Sequence, residues 1–200
     1  MERGEWGAFV IAAGRGRGKC MPIVRNKKIE VLFGAEEIAR RNGELAEQIA
    51  LGDMRNILVL SILKGSFVFA ADLIRALHAA GLAPEVEFIS VSSYGTGTTA
   101  GELRLLRDVE TDVKGRDVLL IDDILESGNT LRFTRDLMLE RGARKVEIAV
   151  LLDKTMKRKA DIRADHVGFE CPDHFVVGYG MDVAHAFREL PFVGVVTGDA

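Results

Sequence analysis

Three stretches of the chain share one hydrophobic pattern. Ile57 to Leu63, Val118 to Ile121 and Val146 to Leu152 are almost unbroken apolar runs, as expected of strands buried on both faces of a parallel sheet. After the first two comes a short polar turn containing glycine, then apolar residues at helical spacing. These are Phe67, Ala70, Ala71, Ile74 and Leu77 before Gly81, and Leu131, Leu137 and Met138 before Gly142. Val86 to Val91 reads as a further strand, and Leu103 to Arg107 resumes the sheet. Upstream, residues 35–53 place Ile38, Leu45, Ile49 and Ala50 mostly on one helical face, with Glu36 and Glu37 in the first turn, where the helix dipole favours acids. Asn42-Gly43 weakens this helix, since Gly costs about 1 kcal/mol relative to Ala; it must rely on packing against the sheet. Strand, turn and helix in repetition predict an α/β fold. The last quarter differs: His166 to Phe169 and Phe175 to Tyr179 are short strands around Cys171-Pro172-Asp173, suited to a cap over the open end of the sheet.

The turns carry the chemistry. Val118 to Ile121 ends at Asp122 and Asp123, and Glu126-Ser127-Gly128-Asn129-Thr130 leads into the next helix. A loop between a strand's carboxyl end and a helix's amino end presents free backbone N–H groups to an anion, and phosphate is the expected occupant. Two carboxylates beside a phosphate would repel it unless they met another part of the same ligand. Vicinal sugar hydroxyls donate well to carboxylates, and Mg²⁺ between substrate oxygens would offset the charge, so the inferred ligand is a ribose phosphate. Lys64-Gly65-Ser66 ends the first buried run in the same way and suits a second anionic group. Ser92 to Gly101 has three glycines and six hydroxyl-bearing residues; unable to build a core, it reads as a lid or surface loop.

Composition narrows the class. Two hundred residues, 48% hydrophobic, allow one domain with a full core. A formal net charge of -3 argues against a general nucleic-acid binder. Cys20 and Cys171 form no spaced framework, so a reduced, cytoplasmic protein is expected, and Cys171 with His174 supplies too few ligands for a metal site. No stretch is long enough to span a membrane. The glycine-rich start, Phe9 to Lys19, loosely resembles the opening of sugar-phosphate nucleotidyltransferases but has neither Walker nor dinucleotide spacing; it is read as a basic extension.

Two hydrophobic residues, two acids, two hydrophobic residues and then acid-Ser-Gly-x-Thr resembles the phosphoribosyl-diphosphate motif of the type I phosphoribosyltransferases. With Leu63-Lys-Gly, Ser92-Ser-Tyr-Gly, Leu151-Leu-x-Lys154, Phe175-Val-Val-Gly-Tyr-x-x-Asp182 and Phe187-Arg-x-Leu190 in order, the chain from about Ile29 to Val195 resembles the hypoxanthine-guanine phosphoribosyltransferase family. The resemblance implies a twisted parallel sheet flanked by helices, with a small C-terminal hood. Residues 1–28 would be a flexible extension and 29–200 one domain, its hood formed mainly by 154–200.

It further implies transfer of the phosphoribosyl group to a 6-oxopurine with release of pyrophosphate. Ser127, Gly128, Asn129 and Thr130, with the Glu126 backbone, would cradle the 5′-phosphate. Asp122 and Asp123 would hold the ribose hydroxyls, and Lys64, Gly65 and Arg188 the pyrophosphate. Phe175 would stack on the purine, Lys154 would donate to its 6-oxo group, and carbonyls near Val176 and Asp182 would accept from a 2-amino group. Ser92, Ser93, Tyr94 and Gly95 would form the lid. Mg²⁺ would be the cofactor, near Asp182, Asp122 and Asp123. Partners would be small-molecule substrates and a second or further copies of the chain, as homodimer or homotetramer.

One departure stands out. Glu126 occupies the position where the family usually has Asp, expected to assist proton removal from the purine, while Asp122 stands where many relatives have Glu. The extra methylene changes reach, and misplacing a catalytic group by about 1 Å can cost on the order of 10²-fold in rate. Glu126 and the basic residues Arg15, Arg17, Lys19, Arg25, Lys27 and Lys28 are the support for a rival reading, a nucleotide sensor or RNA-binding regulator on the same fold. A transferase for another base, such as xanthine, is the other.

Overall fold

A computed structural model describes residues 23–94 and 102–199. In chain order the elements are β1 (Ile23–Val24), β2 (Lys27–Phe33), α1 (Ala35–Ala50), β3 (Ile57–Leu63), α2 (Phe67–Ala79), β4 (Glu85–Tyr94) and β5 (Glu102–Arg107). Then follow β6 (Asp117–Leu125), α3 (Asn129–Glu140), β7 (Lys145–Asp153), β8 (His166–Glu170), β9 (Val176–Val177) and β10 (Val193–Asp199). The glycine-rich start with Arg15, Arg17, Lys19 and Cys20, and the loop from Gly95 to Gly101, lie outside the described residues.

Six strands form the main sheet in the order β5-β4-β3-β6-β7-β8. The apolar runs take its middle: Leu58, Val59, Leu60, Leu119, Leu120, Ile121, Val150 and Leu151 are wholly inaccessible, because helices cover both faces. All pairings are parallel except β4 with β5, where the chain doubles back and closes one edge antiparallel. A smaller antiparallel sheet, β1-β2-β10-β9, lies beside it.

The structure refines several expectations. Strand pairing begins at Ile23, before the expected domain start at Ile29, because β1 pairs with β2 and β2 with β10. The small sheet therefore draws on both ends of the described chain. β8, expected in the cap, is instead the outer strand of the main sheet. Arg41 of α1 reaches this strand, its guanidinium donating to the carbonyls of Gly168 (2.8 Å) and Val167 (2.7 Å). In α1 the weak Asn42-Gly43 pair has its use: Asn42 is buried and donates to the Tyr179 hydroxyl at 2.9 Å.

β6 does not stop at the two acids. It continues to Leu125, with Asp122 opposite Val150, Ile124 opposite Leu152 and Leu125 opposite Asp153. The neighbouring strand supplies ladder partners past the last apolar residue of the run, so the carboxylates project from strand backbone. Gly128, at φ +81°, then turns the chain into α3. A Cβ there would lie 2.6 Å from Ile162 Cγ2, so both the left-handed conformation and the contact require glycine.

Candidate active site

The carboxyl ends of β3, β6 and β7 and the hood segment enclose a cavity of about 610 Å³. It brings together Lys64 and Gly65 from the end of β3, Asp123 and Glu126 from β6 and its loop, Lys154 from the end of β7, and Phe175, Val176, Asp182 and Arg188 from the hood. A second cavity, about 210 Å³, is lined by Asp122, Glu126, Ser127, Gly128 and Thr130 among others. Ile124 and Glu126 line both. A ligand with an anionic end in the smaller cavity and a planar end in the larger would pass Glu126. Asp122 and Asp123, expected on one set of hydroxyls, line different cavities. Asn129 lines neither; its amide donates to Ser127 Oγ at 3.4 Å.

Each polar group is held by the local fold. Gly65 comes so close to β6 that a Cβ would lie 1.8 Å from Asp123 Oδ2, so a larger residue would push into the carboxylate. The Ser66 hydroxyl is buried, 2.8 Å from Ser61 Oγ, and bonds the Ile62 carbonyl. Arg188 binds Asp182 Oδ1 (2.6 Å) and donates to the Gly180 carbonyl (2.6 Å), while Asp182 Oδ2 accepts the His185 amide at 2.8 Å. Burial pushes the Asp122 carboxyl well above the usual carboxylate range, with further upward pressure from Asp123. Burial also raises Asp123, against opposing hydrogen bonds and the Arg188 charge.

Lys154 and Phe175 are opposites. Lys154 is only 6% exposed, and its ammonium donates to the His174 carbonyl at 2.7 Å. With three donors, it keeps donor capacity on its cavity side. Phe175 is 67% exposed, a large aromatic side chain at the cavity wall.

Ser92, Ser93 and Tyr94 fall within β4, paired with Arg104, Leu103 and Glu102 of β5. This part of the expected lid is therefore strand; Gly95 lies outside the described residues. Among the described residues no three His, Cys, Asp or Glu gather closely enough to hold a metal alone, and no helix is long and apolar enough to cross a membrane.

Sequence reasoning missed the segment after Lys154. Arg158 reaches under the loop between β6 and α3, donating to the carbonyls of Glu126 (3.0 Å), Leu125 (3.2 Å) and Ile162 (2.8 Å) and pairing with Asp153. The amides of Lys159 and Ala160 both donate to the Ser127 carbonyl at 3.0 Å. Lys157, Asp173 and His174 line the larger cavity. One signal was available: Asp153 ends a buried strand, and an acid there calls for a nearby cation.

The glycine-turned loop and the cavity lined by Lys154 and Phe175 thus adjoin at Glu126. The phosphoribosyl transferase domain model matches residues 30–184. The hypoxanthine-guanine phosphoribosyltransferase of Bacillus subtilis (strain 168) is 44% identical over 84% of this chain and 92% of its own; that of Aquifex aeolicus is 42% identical over 88% and 99%. Among solved structures, a hypoxanthine phosphoribosyltransferase from Staphylococcus aureus superposes with TM-score 0.79 at 40% identity, covering 84% of this chain and 90% of that one. The chain belongs to the hypoxanthine-guanine phosphoribosyltransferase family of the type I phosphoribosyltransferases.

Proposed function

We propose that the protein salvages purines, transferring the 5-phosphoribosyl group from phosphoribosyl diphosphate to hypoxanthine or guanine and releasing pyrophosphate. The observation that carries this reading is the buried Lys154 ammonium facing the same cavity as the exposed Phe175, joined at Glu126 to a glycine-turned anion loop. An ammonium can only donate. It pairs with a 6-oxo group and is left unpaired by a 6-amino group, so adenine is discriminated against.

In the reaction the purine nitrogen bonds to C1 of the sugar as the C1–oxygen bond breaks, and pyrophosphate leaves with the electron pair. Ser127, Gly128 and Thr130 hold the 5′-phosphate through the loop amides and hydroxyls. Lys64 and Arg188 receive the negative charge that grows on the departing group. Glu126 accepts the proton displaced from the purine's imidazole ring, and Phe175 orients the ring over C1.

The crowding of Asp122 and Asp123, both raised by burial, fits a site completed by a divalent cation or by donor hydroxyls. One or two carboxylates together with substrate phosphates are the usual surroundings of Mg²⁺. Asp182, Asp122 and Asp123 are its candidate ligands, and when bound it would neutralise charge on the diphosphate.

We also infer that the protein works in the cytoplasm as a homodimer or homotetramer. Phe67, exposed at the start of α2, borders an apolar groove with Ile38, Tyr179 and Leu190 that suits a contact between copies; light scattering tests the assembly.

Nucleotide formation from phosphoribosyl diphosphate and Mg²⁺ with hypoxanthine, guanine, xanthine and adenine tests the function. Turnover with the first two and not with adenine is expected. Binding of the diphosphate without turnover of any base would overturn the enzyme reading in favour of a sensor.

A further inference from the structure

The side chain and the backbone of Glu126 are gripped from one short segment. Arg158 holds its carbonyl (3.0 Å), while its carboxylate lies 3.8 Å from two ammonium groups, Lys154 and Lys157. The two lysines differ in what fixes them. Lys154 is buried and anchored to the His174 carbonyl. Lys157 is 58% exposed at its side chain and is placed by Asp173, its Nζ 2.8 Å from Oδ1. Asp173 lies two residues before Phe175, so the Asp173–Lys157–Glu126 series joins the hood, beside the expected base platform, to the phosphate loop across the cavity they all line.

We propose that Lys157 is a positioning residue for Glu126, and that it adapts the site to the longer acid at that position. The inference rests on the transferase reading above. A glutamate reaches one methylene further than an aspartate and has one more torsion to fix, so its carboxylate has more ways to be misplaced. Two ammonium groups on the carboxylate's side narrow that choice. Lys154 and Lys157 approach the same carboxylate oxygen at equal distance, each anchored by a second partner, and Asp173 keeps Lys157 at the cavity mouth rather than free in solvent. An aspartate at 126 would stop short of Lys157. The lysine's contribution therefore depends on the length of the acid, which a general electrostatic or structural role would not.

The test is a cycle of Lys157→Met and Glu126→Asp, measuring kcat and KM for both substrates. With Glu126 present, Lys157→Met should lower kcat about three- to tenfold, with KM for phosphoribosyl diphosphate changed by less than about twofold. Lys157→Arg should restore most of the loss, since it keeps a donor for both acids. In the Glu126→Asp background, Lys157→Met should change kcat by less than about twofold. An equal loss in both backgrounds overturns the proposal, as does a rise in KM for phosphoribosyl diphosphate in both, which would make Lys157 a substrate ligand. Wild-type turnover, the control in every set, separates failure of the transferase reading from failure of this one. A crystal structure reads the geometry without turnover: Glu126 beyond salt-bridge distance of Lys157 overturns the proposal whatever the activity, and contact with Lys157 and its Asp173 bridge supports it.

Discussion

The two ends of the central strands treat their carboxylates in opposite ways. At the amino ends, Asp117 starts β6 in register with Ile57 and Lys145. Its side chain is inaccessible, yet both oxygens are paired, Oδ1 with Arg144 Nε at 2.6 Å and Oδ2 with Arg144 and the Arg55 amide. Burial pushes its carboxyl up, but the Arg144 and Arg55 hydrogen bonds outweigh that and hold it below the usual range. Around it, Lys145 bridges Asp53 and Glu147, and Arg116 pairs with Glu85 at 2.7 Å. At the carboxyl ends of the same sheet, Asp122 and Asp123 stand side by side, neither in an ion pair among the described residues, both raised. One end spends its charges on holding the strands together. The other leaves them unbalanced, the kind of perturbed pair that marks a candidate functional site.

Neutralising each end separates these roles. Replacing both Asp122 and Asp123 by Asn should cost on the order of 10²- to 10³-fold in kcat/KM, while Tm holds or rises because a like-charge pair has been removed. A clear fall in Tm would show that the acids also support the fold. Asp117→Asn should do the reverse, destabilising by about 2 kcal/mol and lowering Tm by about 4–8 °C for a domain of this size. Its kcat/KM at 25 °C should be unchanged; a loss of activity without a loss of stability would break the comparison.

The pH dependence follows from the direction of the Asp117 shift. A carboxyl held lower in the folded state than in the unfolded chain contributes stability in full above the unfolded value, about 3.9, and loses it as pH falls through the lower folded value. The Tm gap between wild type and Asp117→Asn should therefore be constant near neutrality and narrow below about pH 4. A gap that widened with acid would reverse the assignment.

The sequence displayed these ends unequally. β3, β6 and β7 were legible because burial on both faces leaves unbroken apolar runs, and the Asp122 to Thr130 loop because its chemistry is local. β5 turning antiparallel and β2 meeting β10 were not, since pairing between distant segments has no local periodicity. The extension of β6 to Leu125 was hidden because its last ladder partners come from β7, not from its own side-chain pattern. Lys154, Phe175 and Arg188 were found through resemblance; as an isolated lysine, aromatic and arginine they carry no signal. Arg158 and Lys157 were overlooked for the same reason, being basic residues in an irregular segment whose partners, Asp153, Asp173 and Glu126, are visible only once folded.

The smallest effect sets the scale for the rest. Arg141, just past the end of α3, makes a two-pronged contact with Asp108, at 2.6 and 2.7 Å, with both side chains about a third or more exposed. Geometry of this kind is as good as a surface pair offers, but water screens it and holding the side chains costs entropy. Asp108→Asn should therefore cost only about 0.5 kcal/mol, and the loss should shrink at about 1 M salt. The same chemistry at Asp117, whose side chain is inaccessible, should cost several times more and respond little to salt. If the two losses were equal, burial would not be what distinguishes the paired end of the sheet, and the contrast with the unpaired acids at the other end would lose its physical basis.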